Sequence, residues 1–263
     1  MTKYEDITVG TDPEVFLESK KSGIISAIGL VGGTKENPIP VTKGALQEDN
    51  VLAEFNIDPA HSPKEFITNI KTVMSQLENK VNPHKLRVLS SHRFTQSMLE
   101  SLGEKALTFG CDPDINAWDG ETNESPSAYT TLRTAGGHVH VGFKVDKEDS
   151  QTRFNVIKLM DIYLGIPSVL LDGDTERRSM YGKAGACRIK EYGVEYRTLS
   201  NFWLQSEKHM KWVYSQSIRA VKNKDYVDEI IDRYSSDEIQ NTINNSDVEK
   251  AESIVSDLQL ELV

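Results

Sequence analysis

The chain has 263 residues, 38% of them hydrophobic and 27% charged, which suits a soluble globular protein with apolar side chains for one large core or two modest ones. A formal net charge of -10 excludes broad attraction to nucleic acid, because most of such a surface repels phosphates, while a local basic pocket is still permitted. The two cysteines, Cys111 and Cys187, lack the close spacing of a structural zinc site and read as reduced core thiols.

The N-terminal residues hold no apolar signal-like run and no stretch approaches bilayer-spanning length, so a cytoplasmic protein with no membrane partner is expected. Residues 7–17 read as a strand broken at Asp12-Pro13, and residues 23–30 as its hairpin partner. A loop rich in Gly, Pro and Lys follows over 31–43. Residues 51–57 alternate apolar and polar side chains, so Glu54 and Asn56 share one strand face while Ala53 and Phe55 share the other.

Ser62-Pro63-Lys64-Glu65 has the pattern of a capped helix start with a capping box, and Phe66, Ile67, Ile70, Val73, Met74 and Leu77 recur behind it at helical spacing. A second helix is expected from about 150 to 164, carrying Phe154, Ile157, Leu159 and Ile162 until Gly165-Ile166-Pro167 interrupts it. Beyond Ser206 the pattern turns helical and acidic, with starts at Ser236-Asp237-Glu238 and Ser246-Asp247. The expected organisation is a body over 1–205 with a helical extension over 206–263 packed on the same domain, although a partner-binding helix fits the pattern too. Nothing in the sequence sets an oligomeric state.

Three stretches carry residues suited to chemistry. Asp12 and Glu14 lie two apart, which on an extended segment puts both carboxylates on one face, where hard oxygen ligands suit Mg2+. Gly10-Thr-Asp-Pro-Glu-Val-Phe is echoed by Gly110-Cys-Asp-Pro-Asp-Ile-Asn, which fits two similar turns entering strands as well as two related ligand-binding edges. Glu54 sits among apolar neighbours, where a carboxylate must face solvent or be paired. His138 and His140 are also two apart, framed by Gly136, Gly137 and Gly142, so they can bind a metal, meet phosphate or satisfy one another through water. Between Arg177 and Arg197 six Lys/Arg residues are concentrated among glycines, a composition that complements phosphoryl oxygens.

Taken in order, Gly10-x-Asp12-Pro-Glu14, Glu54-Phe-Asn56-x-x-Pro59, Gly110-x-Asp112-Pro-Asp114, Gly136-Gly-His138-Val-His140, and Arg178-x-x-Tyr181-Gly-Lys-x-Gly185 through Glu195-Tyr-Arg197 resemble the phage-type carboxylate-amine ligases that belong with glutamine synthetase and glutamate-cysteine ligase. The resemblance covers most of residues 9–203 through these ordered motifs and leaves the C-terminal tail outside. It implies an α+β fold in which a curved, mainly antiparallel sheet of the glutamine synthetase catalytic-domain type carries ATP and two or three Mg2+ ions, with Mn2+ as an alternative, on its concave face. Helices are then expected on the outer face and at the C-terminus, and the compartment becomes the host cytoplasm if the chain is phage-encoded.

The same resemblance implies roles. Asp12, Glu14, Glu54, His138 and Glu195 correspond to metal ligands. His140, Lys183, Lys190, Arg188 and Arg197 correspond to nucleotide contacts, with Arg178, Arg188 and Arg197 offsetting charge during reaction and Asp112 or Asp114 taking a proton from the amine. Two departures stand out: Asp12 replaces a longer Glu common in relatives, and Gln47, beside Glu48 and Asp49, occupies a place that can hold a carboxylate. The implied reaction joins a small-molecule or peptide carboxylate to an amine through an acyl phosphate. A kinase or other phosphoryl-transfer enzyme on the same scaffold, and a noncatalytic nucleotide-binding relative, are the alternatives. Trp118, Tyr129 and Trp203 suit either an acceptor pocket or the core.

Overall fold

In a computed structural model, which describes residues 7–107, 114–123 and 130–263, the chain opens with strand β1, Thr8–Thr11, and strand β2, Glu14–Ser19. Between them, Asp12 and Pro13 form the expected break, since Pro13 has no N–H to give to a ladder. β3, Gly23–Ile25, is a hairpin partner shorter than expected, pairing Leu17 with Ile25. Two strands then follow, the first inside the expected loop over 31–43: β4, Ile39–Val41, pairs with β5, Gly44–Asp49. β4 lies at the sheet edge, where Pro40 is tolerated, and Lys43 takes a left-handed φ of 71° in the turn. β6 is Leu52–Ile57.

Helix α1, Pro63–Lys80, starts where expected, with the Ser62 side chain accepting from the Glu65 N–H. The return half of the box differs: the Glu65 carboxylate accepts from the N–H of His61, at 2.9 Å. Phe66, Ile70, Val73 and Leu77 are buried beneath it. There follow β7, Lys85–Arg87, β8, Ser91–Arg93, and the short helices α2, Gln96–Ser101, and α3, Glu104–Leu107. β9, Ile115–Asn116, β10, Leu132–Thr134, and β11, Val139–Gly142, come next.

The second long helix corrects the expected stop. α4, Ser150–Met160, passes through a π-helical turn, Asp161–Gly165, directly into α5, Ile166–Leu171. The Ile166 N–H bonds to the Asp161 carbonyl, and this widened turn carries the helix past a proline that has no donor. The fused run, Ser150–Leu171, is long and apolar enough to cross a membrane by length and composition, contrary to the expectation from sequence, but 72% of its apolar 18-residue stretch is buried inside the protein. Its apolar character is accounted for by the core.

β12, Ala186–Lys190, and β13, Gly193–Tyr196, complete the strands. The helices α6, Glu207–Lys222, α7, Val227–Ile231, α8, Ser236–Asn244, and α9, Val248–Asp257, close the chain. α8 is capped by Ser235, one residue before the expected start, with a complete capping box to Glu238, and α9 by Asp247. α8 and α9 pack on α5, and the Asn244 side chain accepts the Ala184 N–H at 2.8 Å.

The expected antiparallel α+β architecture is present, with two large sheets beside the two-stranded pair β8-β10. One has the order β1-β11-β13-β12-β9, the other β3-β2-β6-β5-β4 with β7 beside β2. The chain crosses from one to the other at Asp12-Pro13. On the first sheet, α4 and α6 cover the face bearing Val139, Val141, Val194 and Tyr196, all 0% exposed. Side chains alternate along a strand, so the intervening polar residues emerge on the opposite face.

Candidate active site

Register aligns the emergent residues into two rows. On the first sheet Gly10 stands opposite His140, His140 opposite Glu195, and Glu195 opposite Arg188. On the second, Glu14 stands opposite Glu54 and Glu54 opposite Gln47. Both rows line one cavity of about 490 Å³, within the range of roughly 300–1,000 Å³ typical of small-ligand sites.

Asp12 and Glu14, whose spacing suggests one shared face, fall in different trios of candidate ligand atoms, because the chain bends at Pro13 between β1 and β2. Asp12 joins His138 and Glu195, and Glu14 joins Asp49 and Glu54; within each trio the ligand atoms lie within 4.8 Å of one another. Asp12 Oδ1 is 3.4 Å from His138 Nδ1 and 3.0 Å from His140 Nε2. His138 is held through its backbone, where Thr11 Oγ1 donates to its carbonyl at 2.6 Å. Gly136 leaves room for the ring, since an added Cβ would lie 2.3 Å from His138 Nε2.

Asp49 is the ligand candidate that sequence reasoning passed over. Its signal was present: in a strand over 44–49, alternation puts Asp49 on the same face as Gln47, which donates to Glu54 Oε2 at 2.9 Å. Glu48 serves another purpose, accepting the N–H groups of Gly29 at 2.8 Å and Gly32 at 2.7 Å.

The two trios differ electrically. Burial, then the charge of Asp49, pushes Glu14 up to about 8, although the Gly136 N–H donates to its Oε2 at 2.6 Å. Burial and the charges of Asp12, Asp49 and Glu14 raise Glu54 well above the ordinary carboxylate range. Three crowded carboxylates in a protected place make a donor set that a hard divalent cation would relieve. In the first trio, burial works against the charge on Asp12, but the imidazoles of His140 and His138 hold it well below its ordinary value. Burial and Arg197 lower His138, which favours the neutral ring needed for a ligand. Both donor sets therefore fit divalent cations, oxygen-only in one case and mixed with one imidazole in the other.

Cations surround Glu195. Lys190 Nζ is 2.7 Å from its Oε2, Arg188 Nη1 3.5 Å from its Oε1, and Arg197 Nη1 contacts Oε1 more closely. Against its burial and the charge of Asp12, Arg197 and the two histidines hold Glu195 at about 2. Arg197 also reaches Asp114 Oδ2 at 3.3 Å, and Asn123 donates to that carboxylate at 2.7 Å. Asp114 lines a smaller chamber of about 50 Å³ that shares Glu14, Asp49, His138 and Arg197 with the main cavity.

The structure thus brings together Asp12, Glu14, Glu54, His138, His140, Arg188, Lys190, Glu195 and Arg197, with Asp114 alongside. Arg178 is not among them. Its guanidinium donates to Ser168 Oγ at 2.8 Å and Ser246 Oγ at 3.3 Å, tying α5 to the turn between α8 and α9. Its neighbour Arg177 turns the other way, lining the small chamber and donating to the carbonyls of Thr198 at 2.7 Å and Arg197 at 3.2 Å. The two share one 3-10 turn, in which consecutive side chains diverge. Lys183 lines neither cavity. Trp118 donates to Asp161 Oδ2 at 2.7 Å and packs, partly buried, against the core, and Trp203 is fully buried against Phe66, so neither lines the two chambers. Asp112 and Tyr129 lie outside the described residues.

Among curated proteins none matches the chain. A solved structure titled GmaS/ADP complex, conformation 1, is similar to it at 11% identity with a TM-score of 0.35, the alignment covering 98% of this chain and 71% of that one. The family of phage phiEco32-like COOH.NH2 ligases, type 2, matches residues 127–263. The C-terminal helices, expected to lie outside the resemblance, fall inside this match, and the N-terminal motifs around Asp12 and Glu54 precede it. With more than half of its residues matched, the chain belongs to the phage phiEco32-like COOH.NH2 ligase-type 2 family.

Proposed function

We propose that the protein is an ATP- and Mg2+-dependent carboxylate-amine ligase working through an acyl phosphate. The observation that carries this reading is the convergence of two ligand trios and four cationic side chains, Lys35, Arg188, Lys190 and Arg197, on one cavity. Asp12, His138 and Glu195, and Glu14, Asp49 and Glu54, would hold Mg2+, whose charge would offset that developing on the phosphoryl group.

In this reading Arg188 and Lys190 receive the phosphates, releasing part of their hold on Glu195 as they do so. Arg197, fixed between Glu195 and Asp114, faces both chambers and offsets charge where they meet. A carboxylate oxygen of the substrate attacks the γ-phosphorus and the bond from phosphorus to ADP breaks. The amine nitrogen then attacks the acyl carbon, the new C–N bond forms, phosphate leaves with the C–O electron pair, and a proton passes from nitrogen to Asp114. Alignment of the reactants supplies much of the acceleration, roughly 7–11 kcal/mol of barrier in favourable cases. The small chamber suits the head group of a small-molecule or peptide substrate.

The test is incubation with ATP, Mg2+, pooled carboxylic acids and hydroxylamine, which captures an acyl phosphate as a hydroxamate. Hydroxamate with equimolar ADP and phosphate supports the reading. A phosphorylated product that accumulates regardless of added amine would select phosphoryl transfer instead.

A further inference from the structure

Tyr192, which no sequence motif singles out, stands in the two-residue turn joining β12 and β13, and its carbonyl accepts the Phe143 N–H at 2.9 Å. Its side chain is 48% exposed at the rim of the main cavity, yet its hydroxyl is 2.5 Å from His140 Nδ1. The other ring nitrogen, Nε2, faces Asp12 Oδ1 at 3.0 Å. The phenol oxygen and Nδ1 share one short hydrogen bond, and Nε2 faces the Asp12 carboxylate at close range without the alignment of a hydrogen bond. A line of close contacts thus runs from the cavity rim, Tyr192 to His140 to Asp12, into the first trio, and its last two facing atoms, His140 Nε2 and Asp12 Oδ1, are buried with no hydrogen-bond partner.

Asp12 is the ligand in most need of such support. It lies between β1 and β2, outside either strand, so no ladder fixes its backbone orientation. His138 and Glu195, by contrast, are set by a backbone hydrogen bond and by the middle of β13.

We propose that Tyr192 is a positioning residue that, through His140, aims the Asp12 carboxylate at a divalent cation in the first trio. This rests on the metal reading above, and the experiment separates the two. Mn2+ is titrated into the metal-free protein and followed by the electron paramagnetic resonance signal of free Mn2+, for wild type, Tyr192→Phe, His140→Ala and the double variant. Removing an outer partner of a metal ligand weakens metal binding by about 10–100-fold, so Tyr192→Phe, which keeps the ring, should weaken one class of Mn2+ site about tenfold and leave the other. In the His140→Ala background the same change should do nothing further. Equal Mn2+ binding by wild type and Tyr192→Phe overturns the role of Tyr192, as does an additive loss in the double variant. If the wild type binds no Mn2+, the metal reading itself fails and takes the proposal with it.

Discussion

Glu14 and Glu54 stand directly opposite one another on neighbouring antiparallel strands, with Asp49 completing the trio. Like charges so placed oppose folding. The protein escapes by protonation when no cation is present, and Glu14, pushed to about 8 by burial and by Asp49, has a folded value above its ordinary 4.5. A carboxyl raised in this way contributes its stabilisation below the ordinary value and loses it as pH rises through the folded one. In EDTA the melting temperature should therefore fall between about pH 5 and pH 8. Mg2+ should raise it more at pH 8 than at pH 5.5, as read by differential scanning fluorimetry. A metal response that does not grow with pH would mean the trio binds no cation.

The division of Asp12 from Glu14 leads to a second expectation. If each serves its own trio, Asp12→Asn should remove one class of Mn2+ site and Glu14→Gln the other, each losing about tenfold or more in affinity while the second class survives. Equilibrium dialysis of both variants gives the stoichiometry. Loss of all binding from either change would show that the two carboxylates hold a common ion after all.

Arg178 and Arg197 should differ in their effect on turnover. Arg178→Ala strips the partner from two hydroxyls between α5 and the C-terminal helices, a loss of about 1–3 kcal/mol of stability with nucleotide affinity unchanged. Arg197→Gln takes a charge partner from the buried Glu195 and so should lower stability as well, but it should also cost about 10²–10³ in turnover, since the side chain acts on the reacting charge. Denaturant melts and hydroxamate formation measure the two effects. A reversal, with Arg178→Ala weakening ATP binding, would return Arg178 to the site.

How far the sequence foretold this site depends on how local each determinant is. The break at Asp12-Pro13 and the cap at Ser62 are set by the residues themselves, so both could be read. Strand alternation likewise paired His138 with His140 and Glu195 with Arg197. Asp49 escaped because Pro40 and the glycine-rich approach disguise the β4-β5 hairpin as loop. The split between Arg177 and Arg178 depends on what each meets across the fold, in one case the carbonyls of Arg197 and Thr198 and in the other Ser168 and Ser246. The helix through Gly165 and Pro167 persists because a π-turn is stabilised there by its surroundings, with the Asp161 carboxylate accepting from Trp118, Gly185 and Tyr196. No periodicity announces such a partner set.

Gly136 links the two trios and offers the sharpest separation of site from fold. Its N–H donates to Glu14 Oε2 and its carbonyl accepts the Glu14 N–H at 2.9 Å, while the space over its Cα is filled by the His138 ring. A Cβ there would meet His138 Nε2 at 2.3 Å, and the atom in the way belongs to a side chain that can swing aside. At Gly137 the added Cβ would meet the Ser200 carbonyl oxygen at 2.3 Å, which is backbone and cannot. Gly136→Ala should therefore cost about 1–3 kcal/mol or less in stability, while displacing His138 and weakening the first class of Mn2+ site. Gly137→Ala should destabilise more, and whatever folds should bind Mn2+ as the wild type does. Melting curves and Mn2+ titrations of the two variants decide it. If Gly136→Ala leaves Mn2+ affinity intact, then His138 is not held in place by that glycine, and its claim to be a ligand loses its main geometric support.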